Sequence, residues 1–271
     1  IYGYFEPQFT AWWMDGDAQQ MASNKLRVDI AASPSERVSF GGNVNFMTYH
    51  GQTMYRLVDY IPSELADQLR PGVANALVLE LKDEYSLDNA FLKMAFDAFD
   101  LTVGKQQISP GTGYAWNPSD MYNTKDPLDP TYENPGHTAV SAEVPLGARG
   151  GVTLLYSPED SYDDSGKFVR FKFPVGHFDL SAVAGERHVT CSDYIEGTIV
   201  SERRSMLGGD FSGQLFGLGV WGEAVHNDME HSDDYFEGLV GVDYTFENGL
   251  YVLDEFYLNG QGKTDDSDYR V

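Results

Sequence analysis

The sequence predicts an all-β fold: an antiparallel transmembrane β-barrel with about 13 strands visible and at least about 14 expected when complete. Three observations carry this expectation. Apolar and polar residues alternate with period two in one segment after another. Aromatic residues make up 14% of the 271 residues, with 17 Tyr, 16 Phe and 28 Gly, a composition suited to pleated, half-buried strands and tight turns. Short turns and long polar loops follow each other along the chain, as they do in a barrel with one bare rim and one looped rim.

The first strand sets Phe5, Pro7, Phe9, Ala11 and Trp13 on one face. In the next, Leu26, Val28, Ile30 and Ala32 oppose Lys25, Arg27, Asp29 and Ala31. A turn at Pro34-Ser35-Glu36 leads to Val38, Phe40, Gly42, Val44 and Phe46 against Ser39, Gly41, Asn43 and Asn45. Leu92, Met94 and Phe96 oppose Lys93, Ala95 and Asp97, and Leu101 and Val103 follow a short turn. Val140, Ala142, Val144 and Leu146 oppose Ser141 and Glu143; a turn at 147–150 precedes Val152, Leu154 and Tyr156.

Val169, Phe171 and Phe173 oppose Arg170 and Lys172, and beyond Pro174-Val175-Gly176 the residues Phe178, Leu180, Ala182 and Ala184 oppose Asp179 and Ser181. Leu207, Gly209 and Phe211 lead, through a turn expected near 212, into Phe216, Leu218 and Val220. Phe236, Val240, Val242, Tyr244 and Phe246 oppose Glu237, Gly241, Asp243 and Thr245 before Glu247-Asn248-Gly249 turns the chain into its last strand. There Val252, Phe256 and Leu258 share the apolar face with Asp254, where a carboxylate in mid-membrane costs up to a few kcal/mol.

Longer polar loops are expected near 15–24, 50–85, 110–137, 158–167, 190–198, 227–234 and 260–271, and Ser63 to Leu69 reads as one or two helical turns. Residues 1–271 read as one barrel domain. An even strand number and a closing aromatic residue are expected of such a barrel, so the ending Tyr269-Arg270-Val271 predicts a domain cut short at its C-terminus.

Forty-two acidic against 18 basic residues give a net charge of -24, which argues against a nucleic-acid partner and towards cations or sugars. The single cysteine, Cys191, excludes an internal disulfide and a cysteine-cluster metal site. No run of about 18 apolar residues is present, so no transmembrane helix is expected, and the first residues lack a secretion-signal profile. Neither a Gly-x-Ser-x-Gly elbow nor a His-Glu-x-x-His helix occurs, so no enzyme activity, catalytic residue or cofactor is expected.

The stretch from Leu101 to Gly113, with Gly104-Lys105-Gln106, is followed by Trp116-Asn117-Pro118-Ser119-Asp120 and Asp126-Pro127-Leu128-Asp129-Pro130. This resembles a family of largely uncharacterised proteobacterial outer-membrane β-barrels of porin-like type, most sharply between 87 and 147. The resemblance implies a bacterial outer-membrane location and a channel or export role, with lipid and lipopolysaccharide around the wall. Its motifs are structural and imply no catalytic residue.

Inward positions of both signs are the candidate lumen lining: Arg27, Lys93, Arg170 and Lys172 against Asp29, Asp97, Glu143, Asp179, Glu223, Glu237 and Asp243. They either create a transverse field that selects solutes or neutralise one another and keep the wall wettable. The loop from Pro110 to His137, with Trp116, Asn117, Asp120, Asp126 and Asp129, either folds inward as a constriction or forms an outer lid stiffened by prolines. Acidic groups at Glu159, Asp160, Asp163 and Asp164, at Asp228, Glu230, Asp233 and Asp234, and at Asp265, Asp266 and Asp268 offer oxygen ligands, but none has the spacing of a calcium loop. They read as solvated charge, and His226 and His231 beside one of them make no metal site.

The function expected first is passage of small solutes or ions, with a modest cation preference. The rivals are a sheath for a partner protein, a polysaccharide-export or glycan-binding barrel, and a secreted β-sandwich lectin whose apolar faces pack together. Homo-oligomers are compatible with the first two.

Overall fold

The computed structural model describes residues 1–14, 16–61, 77–123, 134–193 and 198–260. Thirteen strands form one sheet in chain order, interrupted by a small two-stranded sheet. They are β1 (Tyr2–Met14), β2 (Asp17–Ser35), β3 (Val38–Gly51), β6 (Glu84–Ala95), β7 (Asp100–Gln106), β8 (His137–Leu146) and β9 (Gly150–Ser157), followed by β10 (Gly166–Val175), β11 (Phe178–Asp193), β12 (Thr198–Leu215), β13 (Leu218–Met229), β14 (Tyr235–Thr245) and β15 (Tyr251–Asn259). β4 (Met54–Arg56) and β5 (Val78–Glu80) pair with each other inside the first long loop, beside a 3-10 turn at Leu57–Tyr60. Each sheet strand pairs with its sequence neighbours, and the registers are antiparallel.

Two compact units make up the chain. One comprises Ile1–Pro34, Phe40–Ala90 and Thr190–Val200; the other comprises Ser35–Ser39, Phe91–Val189 and Ser201–Val271.

The burial pattern is inverted relative to a water-soluble core. Leu26, Ile30, Val140, Phe171, Val240 and Val242 are exposed, and Val28, Val144 and Phe178 are half-buried. On the opposite face Asp29, Asn43, Ser141, Ser181, Asp210, Glu223 and Asn227 are buried. One sheet with its apolar side chains turned out overturns the sandwich reading, which needs those faces packed together. Asp254 remains exposed on the apolar face, opposite Val242.

The strands run longer than their alternation suggests. β2 starts at Asp17, paired with Met14, so the loop expected at 15–24 is strand on both sides of a tight turn. Strand also continues through much of 190–198 and the first part of 227–234. Past the apolar band neither face needs apolar residues, so the backbone ladder continues while the period-two signal disappears.

The turn expected near 212 lies instead at Phe216 and Gly217, both with positive φ, 54° and 83°. Ser212-Gly213 resembles turn chemistry, but Gly213 serves a close approach: a Cβ there would sit 2.5 Å from the Phe178 ring. Asp97, expected on the inner strand face, falls in the turn between β6 and β7 and pairs with Arg37 in open solvent. The helical turns expected at 63–69 and the acidic group at 265–268 lie outside the described residues.

Candidate functional site

Cross-strand register gathers the side chains of β13, β14 and β15 into one polar wall. Trp221, Glu223, Val225 and Asn227 face Gly241, Leu239, Glu237 and Tyr235, while Glu255 and Tyr257 stand opposite Gly241 and Leu239. Gly241 leaves room for its neighbour, because a Cβ there would lie 2.2 Å from the Trp221 ring. The indole crosses that gap and donates from Nε1 to Glu255 Oε1 at 2.6 Å.

The chain leaving β7 lies against this wall. Gln106, the last residue of the Gly-Lys-Gln motif, is buried and donates to the Ala139 carbonyl at 3.0 Å. Beyond it the backbone turns at Gly111, with φ of 102°, where a side chain would collide with Asn117 and Glu223. Glu223 then acts as an anion inside a ring of donors. It accepts from the amides of Thr112, Gly113 and Ser119, and from the Ser119 hydroxyl at 2.6 Å. Glu255 accepts from the amides of Tyr114 and Ala115, each at 2.7 Å, in addition to the indole. Hydrogen bonds to a charged acceptor each contribute about 1.5–3 kcal/mol, so two carboxylates are the principal fasteners.

The Trp-Asn-Pro-x-Asp motif closes the loop on itself. Trp116 stacks on Tyr257 with ring centroids 4.8 Å apart and planes 9° from parallel. Asn117 donates to the Pro110 carbonyl. Asp120 is buried and its Oδ1 accepts from the amides of Tyr122 and Asn123. The end of this segment is apolar: Ile108, Met121 and Tyr122 bury against Ala139, Leu155, Phe168, Val183, Met206 and Val225. Sequence reasoning treated this face as polar throughout, and the apolar patch lies where the loop covers it. The Tyr122 hydroxyl is buried without a hydrogen-bond partner, and desolvation pushes its pKa up to about 12 against the opposing pull of Arg187. Asp126 and Asp129, the other expected loop residues, lie outside the described residues.

The remaining candidates of the lumen list are mostly engaged in pairs. Arg27 binds Asp29 at 2.9 Å; Arg170 binds Asp210 at 2.8 Å and the Ser181 hydroxyl at 3.0 Å. Lys172 and Arg149 share Asp179, Lys93 lies 3.1 Å from Asp100, and Arg204 holds Glu237 together with Asn227 and Tyr257. Asp243 accepts from the Tyr251 hydroxyl at 2.9 Å, and Glu143 is exposed opposite Asp100. Pairing of opposite charges along the wall therefore accompanies any field across it. Sequence reasoning missed Trp221, Tyr257, Arg204 and Asp210. It gave no role to Glu255.

Asp164 is engaged by Ser161 and lies 3.5 Å from His188, while Glu230 and Asp234 accept backbone amides of Arg203 and Met229. Among the described residues no group of three or more His, Cys, Asp or Glu side chains is arranged to hold a metal.

No protein-family model matches the chain, and no curated protein matches it. Among solved structures it is similar to in-vitro folded OmpT, an outer membrane protein of Vibrio cholerae in its trimer form, at 13% identity. That match covers 96% of this chain and 78% of the other, with a TM-score of 0.53. An OmpT mutant from the same organism lacking loop L8 matches at 12% identity over 96% and 84% of the two chains, also with a TM-score of 0.53. A refined porin structure matches at 13% identity over 96% and 95%, with a TM-score of 0.47. The likeness to the two OmpT structures shows the fold: the chain has the antiparallel β-barrel architecture of outer-membrane proteins.

Proposed function

We propose that this chain is a porin-like channel of a bacterial outer membrane, through which ions or small solutes pass by diffusion or with selection. The observation that supports this most strongly is the segment 107–123 held against the polar face by Glu223 and Glu255. A loop kept on the inner face narrows a passage without closing the rim. The apolar positions, with Leu26, Ile30, Val140 and Val240 exposed, meet the acyl chains of lipid and lipopolysaccharide. Arg170, Lys172, Asp179, Glu223, Glu237 and Asp243 line the passage. The chain does no covalent chemistry, and association with further copies of itself is compatible with this wall.

The channel prefers cations modestly. A chain of net charge -24 raises the cation concentration at its mouth, and the paired arginines and lysines of the wall hold the preference down. Reversal potentials across a salt gradient in planar bilayers test both statements. A small cation-selective potential that shrinks as salt rises is expected, since screening acts over about 10 Å at 0.1 M. Anion selectivity at low salt overturns the charge argument, and a correctly folded protein with no steady conductance overturns the channel.

A further inference from the structure

The wall around the docked loop carries more aromatic surface than a passage for ions needs. Tyr251 and Tyr257 lie on the same face of β15, six residues apart, which spans about 20 Å along a strand. The loop fixes the Tyr114 backbone to Glu255 and lays Trp116 on Tyr257. Every ring is braced. The Tyr251 hydroxyl donates to Asp243 and the Tyr257 hydroxyl to Glu237, Trp116 stacks on Tyr257, and Tyr114 meets the buried Trp221 edge-on at 5.0 Å. Tyr114 and Tyr251 nevertheless remain 62% and 51% exposed. Rigid rings with open faces, interleaved with carboxylate acceptors, are preorganised for a ligand with apolar C–H faces and a belt of hydroxyl donors. Linked pyranose rings have that chemistry. An anionic ligand does not suit a surface carrying Glu237, Asp243 and Glu255.

We propose that Tyr114, Trp116, Tyr251 and Tyr257, with Asp243 at one end, form a track that binds a neutral oligosaccharide lengthwise as it passes the loop. The proposal rests on the channel reading and names its substrate class. The sugar rings lie along the aromatic faces, and their hydroxyls donate to the Asp243 carboxylate.

The test uses the full chain in planar bilayers with maltohexaose, cellohexaose and chitohexaose as probes. Saturable, concentration-dependent interruption of the potassium chloride current by at least one of them is expected. Tyr114→Ala and Tyr251→Ala should each raise its half-blocking concentration roughly fivefold or more, as loss of an aromatic anchor does. Tyr251→Phe, which keeps the ring, should change it less. A conducting channel that none of the three interrupts overturns the track and leaves the channel standing, and so does block that is identical in folded Tyr114→Ala and Tyr251→Ala. If the protein conducts nothing, the channel reading fails. Tryptophan fluorescence of the detergent-solubilised protein titrated with the same three sugars then decides the track: saturation supports it, and a flat response overturns it.

Discussion

Two long connections of similar polarity solve the same problem differently. The segment from Gln52 to Asp83 builds support of its own, a β4–β5 pair with a 3-10 turn whose Tyr60 packs on Tyr55 at 6.1 Å, and touches the wall through the Tyr55 ring, 5.8 Å from Trp12, and through hydrogen bonds at its two ends. The segment 107–123 builds no secondary structure and borrows its order from the wall, through Glu223, Glu255 and the apolar bed around Phe168. A loop that pairs with itself can be trimmed or moved with little effect on the strands beneath. A loop whose amides end on wall carboxylates is fixed to the wall, and on the channel reading proposed above changes in either partner should appear as changes in conduction.

The largest expected effect comes from Glu223→Ala. It leaves three amides and two hydroxyls of the loop without this acceptor, a loss of about 3 kcal/mol or more. Single-channel recordings should show higher conductance with added flicker, and unchanged quiet openings would refute the anchoring role. Tyr55→Ala in the other connection should lower the thermal stability of its own region and leave conductance as it was; a large change there would erase the contrast between the loops.

A smaller effect is expected from Gly241→Ala. The new methyl group displaces the Trp221 indole from Glu255, at a cost of about 1–3 kcal/mol. A red-shifted tryptophan emission and a lower unfolding temperature are the measurements, and a wild-type spectrum would contradict the close packing.

Tyr122 gives a pH test. Its folded pKa, raised to about 12, exceeds the ordinary value of 10, so the unfolded state gains by ionising first. Its contribution to loop docking is complete below pH 10 and is lost as pH rises from 10 towards 12. Tyr122→Phe should remove that alkaline dependence while costing less than about 1 kcal/mol, because the hydroxyl has no hydrogen-bond partner to lose. The smallest effect belongs to Arg37→Ala, whose pair with Asp97 is exposed on both sides; a stability change above about 1 kcal/mol would be unexpected.

The strands were legible in the sequence wherever one face had to be apolar. That is why Leu26 to Ala32, Val140 to Leu146 and Phe236 to Phe246 emerge with the correct faces. Asp17 to Ser23 did not, because a strand bearing polar residues on both sides looks like a loop although its backbone is fully paired. The site was legible as a set of inward charges and as one unusual loop. Its joining was not, because nothing local in Gly111 to Asp120 says that the acceptor for these amides lies more than a hundred residues further on, at Glu223. Trp221 was hidden for a related reason: its geometry depends on the absent side chain of Gly241, on the next strand.

The long strands also bear on how the molecule meets its surroundings. At about 3.3 Å per residue, the 19 residues of β2 extend roughly 60 Å, or about 45 Å upright at a tilt near 45°, against a hydrocarbon layer of about 30 Å. That excess of about 15 Å is taken up by the lipid head-group zones, which bring the bilayer to about 40–45 Å, so the strand ends nearly level with the head groups. On the channel reading proposed above, an approaching solute meets the lipid head-group charge and the acids of the protein's own rim together, and a change in lipid charge should alter the entry rate by an amount that shrinks as salt shortens the screening length of roughly 8 Å.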